Sequence, residues 1–211
     1  MVYRPSSIVH RPPEMLECDF DSDVGELAGM ARKHGPWTIE GSTEKHRDEF
    51  MEVVEDRVVR PDGEPGTFTV TRMLPGVSIL ALDEEGFAYL TREFRYAVGR
   101  ESLEVVSGAI DEGEEPLEAA RRELREELGI RADEWTDMGT VDALTSQVWS
   151  PVRIFLARRL TFGKSEQEGV ELIEPVRMRF EEALRAVLES RITHSLSCVL
   201  ILKTRLRLGA G

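Results

Sequence analysis

The sequence predicts an α+β or α/β/α layered fold, with a smaller amino-terminal β region ahead of it. Three observations predict this. Residues 37 to 94 hold several runs rich in β-branched residues, separated by turn chemistry. One strongly helical run, Pro116 to Leu128, interrupts them. Three further strand-like runs and a closing pair of helical runs follow. Strands on both sides of one helix, then a terminal helix pair, suit a layered α/β/α sandwich. With 211 residues, the chain is long enough for one sizeable core and a small subdomain. Its order divides into an amino-terminal arm over 1–36, a β region over 37–75 and the main domain over 76–211.

Composition excludes several classes of function. A 41% hydrophobic content with 7% aromatics suits a soluble globular protein. The formal charge of −13 argues against nucleic acid and against an anionic membrane surface as partners, since both need a basic footprint. An anionic substrate needs cations to bridge that charge. Cys18 and Cys198 have no framework spacing and read as reduced thiols of a cytoplasmic protein. The first twenty residues carry charges and prolines and no apolar stretch of a signal peptide. The apolar run Leu196 to Leu202 is too short to span a bilayer.

Taken in order, Pro5, Pro12 and Pro13 make the first stretch irregular. Asp21 to Lys33 reads as a short amphipathic helix ended by Gly35-Pro36, within an arm expected to be a mobile tail. Phe50 to Arg60 and Thr67 to Leu74 form a hairpin around Pro61-Asp62-Gly63. Val77 to Leu82 is a nearly continuous apolar strand, and Phe87 to Phe94 follows a turn at Asp83 to Gly86. Pro116 suits a first helical turn, and Gly129 is a natural stop. Leu117, Ala120, Leu124 and Leu128 make the core-facing stripe. Trp135 to Ala143, Val152 to Arg158 and Leu172 to Met178 read as strands around a polar surface loop, Gly163 to Glu171. Glu181 to Ser190 and Leu196 to Arg207 close the chain as helices, with Ala183, Leu184, Val187 and Leu188 on one face.

The chemistry concentrates on that central helix. Glu123, Glu126 and Glu127 stand at i, i+3 and i+4, so three carboxylates cluster on one face and repel. A hard divalent cation, Mg²⁺ or Mn²⁺, relieves that repulsion through oxygen ligands. Arg122 and Glu114 can fix the loop 108–115 against the helix, and Gly108 permits close backbone approach or a positive φ. A solvated acidic face is the bland alternative for any such triple.

The full spacing is Gly108, Glu114, Arg122-Glu123-Leu124, Glu126-Glu127 and Gly129-Ile130, or G-x5-E-x7-R-E-U-x-E-E-x-G-U. It resembles the signature of the Nudix hydrolases with no position departing. Chance produces such a match at fewer than roughly one in ten million start positions. A second resemblance precedes it. Glu93-Phe94-Arg95 and Glu104-Val105-Val106-Ser107-Gly108 are similar to the strand-ending Q-Y-R triplet and the E-x-P-A-G loop of the ADP-ribose pyrophosphatase branch. Trp37, Asp56, Val58 and Pro61-Asp62-Gly63 echo that branch's amino-terminal half. Glu93 in place of Gln and Val106-Ser107 in place of Pro-Ala leave the substrate within the branch open.

The resemblance implies a Nudix sandwich, a mixed sheet between helices, and Mg²⁺-dependent hydrolysis of a nucleotide sugar, ADP-ribose first, giving AMP and a sugar phosphate. The alternatives are a pyrophosphatase for GDP-mannose or a UDP-sugar, and a catalytically silent nucleotide-binding module. It implies metal ligands at Glu123, Glu126, Glu127 and the backbone carbonyl of Ser107. Gly108, Glu114, Arg122 and Gly129 are the structural positions. Glu168 is the preferred general base among Glu166, Glu168 and Glu171. Arg95 reads equally as a phosphate ligand or as an arginine paired with nearby acids, and Glu104 as a substrate contact or a paired carboxylate. Trp149, in the loop between the strands Trp135 to Ala143 and Val152 to Arg158, reads as a structural or a base-stacking aromatic, and His194 as a capping or surface histidine. The β region over 37–75 is expected to pair with a second copy in a homodimer.

Overall fold

The computed structural model describes residues 31–165 and 172–209. The described residues fall into two compact units, one holding residues up to Thr43 with Glu55–Phe68, the other holding Glu44–Val54 and Thr69 onward. Five strands hydrogen-bond in the order β1-β2-β3-β4-β10: β1 (Arg32–His34), β2 (Trp37–Arg47), β3 (Met51–Val59), β4 (Pro65–Met73) and the later β10 (Val148–Trp149). Within the smaller unit Ile39 and Val58 are buried, and Trp37 packs edge-on against Phe68 at 5.6 Å. Ser42 donates to the buried carboxylate of Asp56 at 2.5 Å, so that acid is not left unpaired.

Part of the expected helix Asp21 to Lys33 lies outside the described residues, and its end is a strand. Arg32, Lys33 and His34 pair antiparallel with Ile39, Thr38 and Trp37. Gly35, at φ 56°, makes the two-residue turn between them with Pro36. The Gly-Pro signal therefore turns a hairpin rather than stopping a helix.

The larger unit carries a seven-stranded sheet. Its strands are β5 (Gly76–Leu82), β6 (Phe87–Arg95), β7 (Arg100–Glu104), β8 (Val106–Ala109), β9 (Ile130–Asp142), β11 (Pro151–Phe162) and β12 (Glu174–Arg179). The path runs β12-β6-β5-β11-β9, with β7 on β6 and β8 on β5. Among the described residues only the β11–β5 pairing within it is parallel, so the sheet is mixed. The helix α1 (Pro116–Leu128) covers one face, where Val77, Ile79 and Ala81 meet Ala119, Ala120 and Leu124. The pair α2 (Phe180–Leu188) and α3 (Ser195–Leu208) covers the other, where Leu80 and Leu82 meet Phe180, Ala183, Leu200 and Ile201. Alternate side chains of β5 thus serve opposite cores, which is why its sequence is apolar apart from Ser78. Each fully buried Leu or Ile there contributes about 1.5–3 kcal/mol.

Four local expectations are corrected. Glu104 to Gly108, read as a loop, forms the end of β7 and most of β8, because β6 and β5 supply partners that local propensity does not reveal. The segment around Trp149, also read as a loop, contains β10, paired with Thr71 and Arg72 of β4. The strand after α1 starts at Ile130 instead of Trp135, running directly out of the Gly129 stop. Leu188 is 70% exposed, and the buried face of α2 is Phe180, Ala183 and Ala186.

Candidate active site

The site starts from the ends of α1. Pro116 occupies the first turn, and Gly129 takes the left-handed conformation (φ 65°) while its N–H reaches the Arg125 carbonyl at 2.8 Å. A Cβ at Gly129 would come within 2.7 Å of the backbone at Gly163 to Ser165. Glycine therefore serves twice there, for conformation and for the close passage of the chain after β11.

Gly108 has a different task. Its φ is not positive, and a Cβ built there would fall 2.0 Å from the carboxyl carbon of Glu123. Of the two roles expected for this glycine, close approach is the one the fold uses. The Glu123 carboxylate lies directly over the β8 backbone at Gly108.

Arg122 organises the acids around it. Its Nε and Nη2 donate to the two Glu114 oxygens at 3.1 and 2.9 Å, and Nη2 also reaches the Ala109 carbonyl at 3.0 Å. Its Nη1 donates to Glu123 at 2.6 Å and to Glu126 at 3.4 Å. Glu114 in turn accepts the Asp111 N–H at 3.2 Å, closing the loop onto the helix. The Arg122 hydrogen bonds hold the Glu114 carboxyl below the usual range, and Glu114 and Glu123 raise the guanidinium above its own. Glu126 also takes Arg125 at 2.9 Å.

Among the described residues no three His, Cys, Asp or Glu side chains stand together as a metal-holding group. Glu123 and Glu126 instead share the Arg122 guanidinium, a cation lying where like charges need one. An all-oxygen donor set beside an open glycine backbone has the chemistry of a hard divalent cation.

A second cluster converges on Glu104. Its carboxylate is buried, yet Arg95 forks onto both oxygens, Nε at 3.3 Å and Nη2 at 2.9 Å, while Nη1 binds Glu93 at 2.8 Å. Burial opposes ionisation of Glu104, but the hydrogen bonds from Arg95 outweigh it, and its pKa stays below the ordinary value. Burial likewise opposes the Arg95 charge, and Glu104, Glu93 and Glu127 overcome it. The same arginine thus feels β6, β7 and α1. As it stands Arg95 is a paired arginine, the second of the two readings its sequence allowed. Ser107 lies opposite the buried Ser78 in the β5–β8 ladder, with their hydroxyls 2.8 Å apart.

The structure brings Gly108, Glu114, Arg122, Glu123 and Glu126 together, and sets Arg95 and Glu104 beside them with Ser107 on the connecting strand. Glu166, Glu168 and Glu171 lie outside the described residues. Trp149 is half-buried in β10. His194 sits at the amino-terminal cap position of α3 but makes no capping bond. Its Nδ1 is 2.8 Å from Ser197 Oγ and 3.4 Å from Glu104 Oε2, and burial pushes its pKa down. No local signal marks it. Ser78 had one, a serine inside an otherwise apolar strand. Beside Ser107 and Gly108 opens a mainly apolar cavity of roughly 240 Å³ bounded by Phe50, Met73, Leu74, Val77, Val152 and Leu196. Phe50 is 59% exposed, with ring surface to offer.

Comparison with known proteins places the chain among relatives. Residues 72–193 match the NUDIX domain, and residues 37–71 match the nucleoside diphosphate sugar hydrolase N-terminal domain. An ADP-ribose pyrophosphatase of Mycobacterium tuberculosis is 30% identical over 78% of this chain and 81% of its own length. One of Bacillus subtilis is 32% identical over 65% of this chain and 75% of its own. The crystal structure of an ADP compounds hydrolase superposes with a TM-score of 0.73 at 22% identity, covering 85% of this chain and 97% of the other.

Proposed function

The chain belongs to the Nudix hydrolases, and from that premise we propose that it cleaves the pyrophosphate of ADP-ribose or a related ADP-sugar, giving AMP and a sugar phosphate. The observation that carries this reading is the Glu123 carboxylate seated on Gly108, with Glu126 held alongside through Arg122. The two relatives named ADP-ribose pyrophosphatase support the choice of substrate.

Glu123, Glu126, Glu127 and the Ser107 carbonyl would hold Mg²⁺, which neutralises pyrophosphate charge and lowers the pKa of water when bound. The chain's own residues do the positioning. Arg122, tied twice to Glu114, keeps the loop 108–115 against α1. Arg95 offers its Nη1 to a phosphate oxygen by releasing the more exposed Glu93, while its fork on Glu104 keeps it aimed. Phe50 and the cavity beside Ser107 take the base by stacking and apolar contact. Glu168 accepts the proton of the attacking water. Water then displaces one phosphate from the other phosphorus, a reaction governed by placement and charge.

Glu93 and Val106-Ser107 depart from the ADP-ribose pattern, so another nucleotide sugar, GDP-mannose or a UDP-sugar, is the second reading. A phosphate-coupled assay over a panel of nucleotide sugars with Mg²⁺ separates them. ADP-ribose is expected to be cleaved preferentially, and Glu127→Gln to lower turnover ~100-fold or more without unfolding. Preference for a GDP- or UDP-sugar replaces the substrate. Activity in the variant within a few-fold of wild type removes Glu127 from the site. Binding without turnover marks a silent nucleotide-binding module.

A further inference from the structure

We propose that His194 is a positioning residue for this hydrolysis, holding the β7–β8 junction to α3 through Ser197 and so keeping the Arg95–Glu104 pair in register with the acids of α1. The assignment rests on the function proposed above.

Val105 lies between the two strands, after Glu104 and before Val106. Its N–H donates to Ser197 Oγ at 2.9 Å, 92 residues away along the chain. Ser197 is fully buried on α3, so this junction is bound to the helix layer by a side chain shielded from water. Three residues beyond Glu104 stands Ser107, and the next residue is Gly108 beneath Glu123. A shift at Val105 therefore moves the Glu104 carboxylate on one side and the Ser107–Gly108 backbone on the other.

His194 fixes the hydroxyl that makes this bond. A serine oxygen has one proton and two acceptor lone pairs. One lone pair takes Val105, and His194 Nδ1, 2.8 Å away, addresses the same oxygen. The negative Glu104 Oε2 at 3.4 Å from that nitrogen favours a proton on Nδ1, so His194 donates to Ser197. The imidazole also meets the carboxylate that Arg95 grips. Arg95, Glu104, His194 and Ser197 thus form one chain of contacts from β6 to α3, and its far end lies near Glu127.

Steady-state kinetics on ADP-ribose, with nitrogen NMR of the imidazole and hydrogen exchange at the Val105 amide, test the idea. The chain has four histidines, which keeps the spectrum assignable. His194 is expected as the neutral Nδ1–H tautomer, the less common form of free histidine. His194→Ala should raise KM about 10-fold with kcat held within about 3-fold, since Arg95 and Glu104 act in substrate binding. It should also speed exchange at Val105. His194→Asn places an amide donor near the Nδ1 position and should restore both. Ser197→Ala should give the same KM rise, and it serves if His194→Ala does not fold. A KM unmoved in an active His194→Ala enzyme, an Asn variant as impaired as Ala, or an Nε2–H tautomer overturns the assignment while leaving the function standing. Wild-type protein without turnover of any nucleotide sugar overturns the function itself, and the positioning role with it.

Discussion

Gly108 is where a single residue decides most. Its missing Cβ is what lets the Glu123 carboxylate rest on β8, since any side chain there would lie 2.0 Å from it. The obstructing group is the end of a flexible side chain, so the fold can give way where the site cannot. Gly108→Ala is expected to melt within a few degrees of wild type, yet to lose on the order of 10-fold or more in kcat, because Glu123 is displaced from its cradle. Paired melting curves and turnover measurements check this, and unchanged turnover would show that Glu123 has no fixed station. The requirement for glycine was legible from the spacing of the motif. Which of its two properties mattered was not, because the clashing atoms belong to a residue fifteen positions on.

At the scale of the element, α1 carries two opposed faces. Ala119, Ala120 and Leu124 are fully buried against β5, β8 and β9, and Glu123, Glu126 and Glu127 crowd the side towards Gly108 and Arg95. Arg122 offsets part of that crowding, and the divalent cation we propose there would offset the rest. A ligand that binds only the folded helix stabilises it by about 2.7 kcal/mol at a hundredfold excess over Kd, worth several degrees in a chain of this length. Mg²⁺ is therefore expected to raise Tm in wild type, EDTA to reverse the rise, and Glu127→Gln to show much less of it. An equal rise in the variant would place the cation elsewhere. The length, limits and apolar stripe of α1 could be read directly from its sequence. β7, β8 and β10 could not, since they owe their strand geometry to partners on β6, β5 and β4.

For the whole molecule, a second copy of the chain is the partner we propose, pairing through residues 37–75. The match of residues 37–71 to a domain that precedes the hydrolase domain in nucleoside diphosphate sugar hydrolases supports a dedicated role for this sheet. Buried Glu52, clamped by Arg47 at 2.5 Å and Arg72 at 3.0 Å, stiffens part of that sheet. Sedimentation equilibrium should return twice the mass of the chain, and a monomer at micromolar concentration would remove the dimer from the reading. No helix among the described residues is long and apolar enough to cross a membrane.

The sequence by itself determined the acid-bearing helix, its caps, the glycine that faces it and the reaction class, because these depend on fixed spacings within some twenty residues. The apolar run of β5 likewise announced a strand buried on both faces. Only the tertiary structure decided which partners the isolated polar residues would find. Glu104 is held by Arg95 of β6 and by His194 at the head of α3, Ser197 reaches Val105, and Ser78 meets Ser107. All of these but the Arg95–Glu104 pair join residues far apart along the chain. Their physical basis is the need of buried polar groups for partners, and local periodicity carries no trace of where those partners come from.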